Sequence, residues 1–440
     1  MSRTPPDRQP VVAFHIHEWK RSVLEAYFPK WDFHYMPFFM EEREFVDIWQ
    51  ARIAALDDPS VIVWGPNLPA AAERFCAERN IPVHFVEDGF LRSVGGSAGQ
   101  SAPFSLTIDR QRPFFDSRGP SDLEDLLNAY DFDADPGLIE RAGAGIAQML
   151  RLRIGKYGGQ PSKGVADLPG GTGRRVLVVG QVESDASIRY GAAMPILNND
   201  LVRLAAKENP DATILYKPHP DVLGGVRKAS SDPAEVADLS HVLTAPVALS
   251  DVLDEVDHVY TITSLAGFEA LMRGKRVTVS GSPFYSGWGL TDDRQPNPRR
   301  VRVLSLEALF AGVYLLYPRY FDPRTGTERC FETTLAEMVA WQRDGEPDDS
   351  RRLLSSRARP APWRPVGPFG VLGWRHLLPL VVGPLVARIG SADDAASYCR
   401  DPIGFFREQS DPDFRRLGRW LYPRDDGRFA MGFDRFRTGA

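Results

Sequence analysis

The chain has 440 residues, 43% hydrophobic and 25% charged, with a formal net charge of −5. Single cores rarely grow past about 250–300 residues, so two domains are expected, and the composition excludes wholesale disorder. No nucleic-acid module is recognisable, which argues against nucleic acid as a partner.

The three cysteines, Cys76, Cys330 and Cys399, fit neither a metal-ligand spacing nor a disulfide framework, which implies a reducing compartment. The opening MSRTPPDRQP lacks the apolar core of a signal peptide, and no run reaches the roughly 20 apolar residues that span a bilayer. A cytoplasmic location is expected. Charge is unevenly placed: residues 351–440 hold sixteen arginines, no lysines and nine acidic residues, a net +7, which leaves −12 on residues 1–350. A basic tail on an acidic body suits anionic membrane lipid or a partner protein better than nucleic acid.

In chain order, VVAFHI (11–16) reads as a strand, a helix follows around 19–27, and a second alternation covers 32–36. Residues 42–56 have the spacing of an amphipathic helix, 59–65 of a buried strand ending in glycine, and 68–79 of another helix. The next strand, PVHFVEDGF, runs straight into Glu87, Asp88 and Gly89. An isolated Glu-Asp-Gly is most simply a solvated turn in which glycine supplies positive φ. The polar, glycine-rich continuation through Arg92, Ser93 and VGGSAGQ favours a substrate loop with two carboxylates at a strand end. SLTID (105–109) is another strand, and 120–130 and about 137–152 read as helices. The Gly-, Pro- and Ser-rich stretch 156–174 reads as a linker, ending a first domain near residue 160.

RRVLVVGQ (174–181) restarts the rhythm. It lacks GxGxxG, so a dinucleotide loop is discarded, and Gln181, Glu183, Asp185 and Ser187 form a polar loop at the strand's end. After a helix through 198–208, TILYKPHP (213–220) ends an apolar run in Lys217 and His219, with Pro218 and Pro220 stiffening the loop. A helix near 248–255 and a strand over 257–262 lead to Thr263 and Ser264. Either would cap a helix over 264–273 whose free N–H groups and dipole suit an anion. Glu269, on that helix, is placed to accept hydrogen bonds from a ribose diol. Together these features describe a nucleotide pocket without a Walker loop. After the strand RVTVSG (276–281), the loop SPFYSGWGLTDD gathers aromatics. Tyr285 and Trp288 either line a sugar or base pocket or plug the space between domains. Helices follow to about 345. Beyond a Pro- and Arg-rich connection (351–368), VLGWRHLLPLVVGPLVARIG is apolar, interrupted by prolines and too short to span a membrane. It suits an interfacial position or packing as a core helix.

EDGFLRSVG, PFSLTID, QVESDASI, YKPHPDV and TSLAGFEALMRGKRVTVSGSPFYSGWGLT resemble, in the same order, the modules of capsule-polysaccharide β-Kdo transferases of the KpsC type, over about 11–345. The resemblance implies an α/β fold of GT-B type, two Rossmann-like domains facing across a cleft, plus a mainly helical C-terminal extension. It assigns 1–160 to an acceptor and catalytic domain, 161–345 to a CMP-sugar domain and 346–440 to an Arg-rich extension. It also implies transfer of Kdo from CMP-β-Kdo (CMP-Kdo, a substrate) to a lipid-linked glycan acceptor, with neither cofactor nor metal ion.

Carried over by motif, Asp88 becomes the catalytic carboxylate: a nucleophile with retention or, as in the similar GT-B sialyltransferases, a base with inversion. Glu87 orients the loop or shuttles protons. Arg92 meets the carboxylate of donor or acceptor, with Ser93, Glu183, Asp185, Tyr285 and Trp288 as further sugar contacts. Lys217, His219, Pro220, Thr263, Ser264, Gln181 and Ser187 surround the CMP moiety, and Glu269 takes the ribose. Members of this type often carry two modules, whereas each motif occurs once here. Another nucleotide-sugar transferase, or a non-catalytic polysaccharide-binding or export component, are the alternatives on the same scaffold. The extension is the part suited to peripheral contact with the inner membrane or to partner capsule enzymes.

Overall fold

The computed structural model describes residues 8–94, 101–156, 168–169, 173–223, 230–245, 247–351, 353, 377–390, 392–400, 402–409 and 411–422. Much of the expected linker 156–174, the VGGSAGQ loop beyond Val94 and most of the connection 351–368 lie outside the described residues.

Apolar runs rich in β-branched residues build two sheets. The chain first lays down β1 (Gln9–Phe14), β2 (Trp31–Tyr35), β3 (Ser60–Trp64) and β4 (Val83–Asp88), all parallel, then β5 (Ser105–Asp109) antiparallel to β4. Val11, Val12, Ala13, Phe14, Val61, Ile62 and Val63 are all buried, as a sheet covered on both faces requires. Each buried Val, Ile or Phe side chain contributes about 1.5–3 kcal/mol by leaving water. In the β4–β5 register Glu87 lies opposite Thr107 and Asp88 opposite Leu106, so both acids sit within the paired strand and not in a solvated turn. Gly89 shows no positive φ. Its N–H bonds to the Ser105 carbonyl at 2.9 Å, and the Ser105 side chain occupies the space a Cβ would need.

A second, wholly parallel sheet follows, with order β11-β10-β9-β6-β7-β8: β6 (Arg175–Val179), β7 (Thr213–Lys217), β8 (His241–Val242), β9 (His258–Thr261), β10 (Arg276–Val279) and β11 (Asp292–Asp293). The chain then returns. β12 (Arg319–Phe321) pairs antiparallel with β5, and β13 (Glu328–Arg329) closes a hairpin on it, giving the first sheet the order β13-β12-β5-β4-β3-β1-β2. The hairpin turn needs glycine at 326, where φ is 79° and a Cβ would come within 2.6 Å of the Ala26 carbonyl oxygen.

Polar struts join the sequence that follows β5 to the sequence that follows β10. Buried Glu124 accepts hydrogen bonds from Asn297 Nδ2 (3.0 Å), Arg299 Nε (2.5 Å) and Arg300 Nε (3.0 Å). Arg300 in turn donates to the carbonyls of Pro283 and Ser286, which fixes the loop after β10.

The C-terminal extension folds as short helices (Leu378–Ile389, Ala392–Arg400, Pro402–Arg407 and Pro412–Leu421) around Tyr398, Phe406 and Tyr422. Among the described residues no helix is long and apolar enough to cross a membrane. Cys76 is buried, and burial pushes its thiol up to about 11; Cys330 and Cys399 are exposed, and none of the three is in a disulfide.

Candidate active site

The carboxyl ends of strands from both sheets converge on a cavity of about 370 Å³. Glu87 and Asp88 end β4; Gln181 and Val182 follow β6, His219 follows β7, and Thr263 and Ser264 follow β9. Asp185, Ala186, Ser187 and Leu265 come from two helix starts, and Phe90, Phe114, Phe115, Lys156, Pro283 and Phe284 complete the wall.

Asp88 is the most constrained of these groups. Arg92 donates its Nε–H to Asp88 Oδ2 at 2.8 Å, and the Lys20 ammonium lies 3.7 Å from Oδ1. Oδ1 is shielded from solvent and accepts no hydrogen bond among the described residues. Burial pushes the Asp88 carboxyl up, but Lys20, Arg92 and Lys156 outweigh it and hold the group at about 2, ionised. Glu87 moves the other way: burial and the Asp88 charge raise it to about 7. Two adjacent carboxylates with pKa values pushed apart are suited to distinct roles. Burial lowers Lys20 to about 8 against the pull of Asp88 and Glu87, and its ammonium sits 3.1 Å from the centroid of the Trp64 ring.

The opposite wall is built from two helix starts. Ser264 is the N-cap of the helix Leu265–Met272, its Oγ accepting the Ala266 N–H at 3.2 Å. Gln181 Oε1 accepts the Thr263 N–H at 2.8 Å while its Nε2 donates to Thr263 Oγ1 at 3.1 Å. Asp185 caps the helix Ala186–Gly191, accepting from the N–H and Oγ of Ser187 at 2.8 and 2.7 Å. Gly281 and Gly191 pack so close to Thr263 that a Cβ at either would press on its methyl group.

Glu87, Asp88, Gln181, Asp185, Ser187, His219, Thr263 and Ser264 thus meet at one cavity, as the sequence implies. The other expected contacts are placed elsewhere. Arg92 is buried and bound to Asp88 and to Ser93 Oγ (3.1 Å), so neither it nor Ser93 lines the cavity. The Glu183 carboxylate is spent on the N–H groups of Asn198, Ser230 and Ser231 and the Ser231 hydroxyl. Lys217 donates to the Val247 carbonyl at 2.8 Å, away from the cavity wall, and burial lowers its pKa. Pro220 is exposed at the start of a short helix. Glu269 packs against Gly155, and burial raises its carboxyl. Tyr285 and Trp288 are fully buried supports: Tyr285 OH donates to the Ser264 carbonyl at 2.5 Å, and Trp288 Nε1 donates to the Phe284 carbonyl at 2.8 Å.

Lys20, Lys156, Phe114 and Phe115 lie outside the motifs, and Phe90 and Phe284 lie inside them without an assigned role. A signal for Lys20 exists in the helix Glu18–Tyr27, where Lys20, Val23, Leu24 and Tyr27 fall at i, i+3, i+4 and i+7 and are all buried. A lysine in the apolar stripe of a helix requires a partner inside.

A two-sheet α/β architecture with paired carboxylates facing two helix starts across one cavity defines a candidate group-transfer enzyme. The chain matches the family model described as capsule polysaccharide biosynthesis protein over residues 59–157 and 139–320, and it belongs to that family. It is 43% identical over 351 residues to the lipopolysaccharide-processing protein LpsZ of Rhizobium meliloti, covering 80% of this chain and 79% of that one. The capsule polysaccharide modification protein LipA of Neisseria meningitidis serogroup A is 38% identical over 70% of this chain, which spans 42% of LipA. Among solved structures, the chain is similar to Thermosulfurimonas dismutans KpsC, beta Kdo 2,7 transferase, with TM-score 0.61, 32% identity, 76% of this chain and 100% of that one covered. The corresponding beta Kdo 2,4 transferase of KpsC gives TM-score 0.62 at 31% identity, with 76% of this chain and 98% of that one covered.

Proposed function

We propose that the chain is a glycosyltransferase of GT-B type that moves Kdo from CMP-β-Kdo to a lipid-linked or Kdo-terminated glycan acceptor, without a metal ion and with retention. The observation that carries this reading is Asp88: a carboxylate at the cavity, one oxygen held by Arg92 and the other accepting no hydrogen bond among the described residues. In the first step an Asp88 oxygen bonds to the anomeric carbon as the bond to the CMP phosphate oxygen breaks, and the electron pair leaves with CMP. The phosphate charge is met by the helix start at Ser264, by Thr263 and by His219. In the second step an acceptor hydroxyl displaces Asp88, and its proton passes to Glu87.

Because Arg92 is committed to Asp88, the acidic sugar's own carboxylate falls to Lys156, a cationic side chain of the cavity wall. The acceptor lipid places the enzyme at the cytoplasmic face of the inner membrane, a reading supported by the extension. There Leu380, Val381, Leu385 and Ile389 on one helix, and Phe414, Leu417 and Trp420 on another, are exposed in a tail of net charge +7.

The test is CMP release and product formation from CMP-β-Kdo generated in situ with a Kdo-terminated acceptor, comparing wild type with Asp88→Asn. Product from wild type alone, with the anomeric configuration of the donor, supports the reading. An inverted product assigns Asp88 the role of base. No product with any Kdo-terminated or lipid-linked acceptor overturns Kdo transfer.

A further inference from the structure

The motifs assign no chemistry to residues 402–422, yet this part of the extension reaches back to the helix that bears Lys20. Glu408 Oε2 accepts from His17 Nδ1 at 2.7 Å, and Oε1 accepts the Glu18 N–H at 2.8 Å. His17 occupies the N-cap position of the helix Glu18–Tyr27 without a side-chain cap hydrogen bond. A carboxylate 390 residues along the chain therefore supplements the N-cap, taking up the N–H of the first helical residue and facing the positive end of the helix dipole.

Lys20 is the third residue of the turn so capped. Its own N–H bonds to the His17 carbonyl at 3.0 Å, so Glu408, His17, Glu18 and Lys20 form one continuous backbone and side-chain unit. The Glu408 side chain is only 17% exposed. A second contact secures the same face: the Arg415 guanidinium lies 4.3 Å from the Phe39 ring centroid. The neighbouring Phe38 stacks on His15 at 3.9 Å and lies 4.2 Å from the His17 ring. The N–H groups of a helix's first turn lack the i−4 carbonyls that hold later ones, so this turn frays most easily. Here that turn carries a buried ammonium which must stay within 3.7 Å of Asp88.

We infer that Glu408 is a positioning residue of the active site: it caps the turn that presents Lys20 to Asp88, so the C-terminal extension is a working part of that centre. The inference rests on the reading of Asp88 as the nucleophile.

The full-length chain is compared as wild type, Glu408→Ala, Lys20→Met and the double variant, with Arg416→Ala, an exposed arginine of the same extension, as control. Glu408→Ala lowers kcat by about threefold to tenfold, the rate equivalent of one lost helix cap, and leaves the donor KM unchanged. On the Lys20→Met background the same substitution causes no further loss. Hydrogen–deuterium exchange over residues 17–23 speeds up in Glu408→Ala and is unchanged in Arg416→Ala. Equal losses on both backgrounds, or faster exchange with unchanged kcat, overturn the inference. If wild type transfers no sugar, the reading of function fails separately, and acetylation of Lys20 followed by mass spectrometry decides the matter. Lys20 protected in wild type and labelled in Glu408→Ala supports the coupling; equal labelling overturns it.

Discussion

Arg92 and Asp88, four residues apart, form an ion pair in which the guanidinium Nε–H reaches Asp88 Oδ2 at 2.8 Å with the arginine side chain 6% exposed. Its partner is the enzyme's own carboxylate, so Arg92→Met should slow transfer by the same factor for every donor in a panel of nucleotide sugars. The expected loss is about tenfold to a hundredfold, since one charge-assisted bond of roughly 1.5–3 kcal/mol is removed. A loss confined to acidic donors would instead make Arg92 a substrate contact.

Glu87 should set the pH dependence. Burial and Asp88 raise its pKa to about 7, while Lys20 and Lys156, the cations facing it, pull it down. In the proposed mechanism the ionised form takes the acceptor's proton, so the rate should rise with pH through about 7 and then level. Glu87→Gln removes this limb and lowers the plateau by about a hundredfold or more. Stability runs the other way. The unfolded group ionises near 4.5 and the folded one near 7, so Glu87 withdraws stability as pH climbs between them. Asp88, held at about 2 against 3.8, contributes stability that is present above 3.8 and lost as pH falls through 2. Urea unfolding at pH 5 and pH 8 checks this: Glu87→Gln gains more on wild type at pH 8 than at pH 5.

Tyr285 supports the Ser264 carbonyl instead of lining the cavity. Tyr285→Phe should therefore weaken CMP binding a few-fold by loosening the helix start, with no change in preference among sugars, and Ser264→Ala should add about 0.5–2 kcal/mol of lost stability through the cap. Calorimetric titration with CMP and a donor panel separate this from a direct sugar contact.

Glu124 is the most exposed weakness of the polar struts. Both it and Arg300 are buried, so Glu124→Ala leaves an uncompensated guanidinium and should cost about 3–5 kcal/mol, read as a lower urea midpoint. The Pro283–Phe284 loop held by Arg300 should loosen with it, raising the donor KM of whatever protein remains folded.

Trp420 is 75% exposed on the helix Pro412–Leu421, with Phe414 and Leu417 exposed beside it and Arg416 on the adjoining face. Wild type should co-sediment with vesicles containing anionic lipid, weaken as salt rises, and lose most binding on Trp420→Ser with Leu417→Ser. Equal binding to neutral vesicles would remove the electrostatic part of the argument.

What the sequence makes legible is whatever sits at a strand's carboxyl end. Asp88, Gln181, Ser187, His219, Thr263 and Ser264 each follow an apolar run that stops abruptly, and the parallel arrangement brings them to one cavity. Side-chain direction is a different matter. Lys217 and Glu183 lie in the same motifs yet bond to the Val247 carbonyl and to the Ser230–Ser231 backbone, contacts set by segments about 30 and 47 residues away. Lys20 lay hidden for the opposite reason, as a charged residue on a helix far from any motif, although its place among Val23, Leu24 and Tyr27 marks it as inward-facing. The hairpin of β12 and β13 is equally hard to read, since three-residue and two-residue strands carry no periodicity.

That hairpin has a consequence for biosynthesis. β5 gains its outer neighbour only when residues 319–321 emerge, after the whole of the second sheet has been made. Until then the nascent first sheet presents an open edge at β5, a template for mispairing with other chains. The ribosome therefore delivers an unfinished sheet that must wait for about two hundred further residues, and nascent chains arrested before residue 319 should be the ones that chaperones retain and proteases cut.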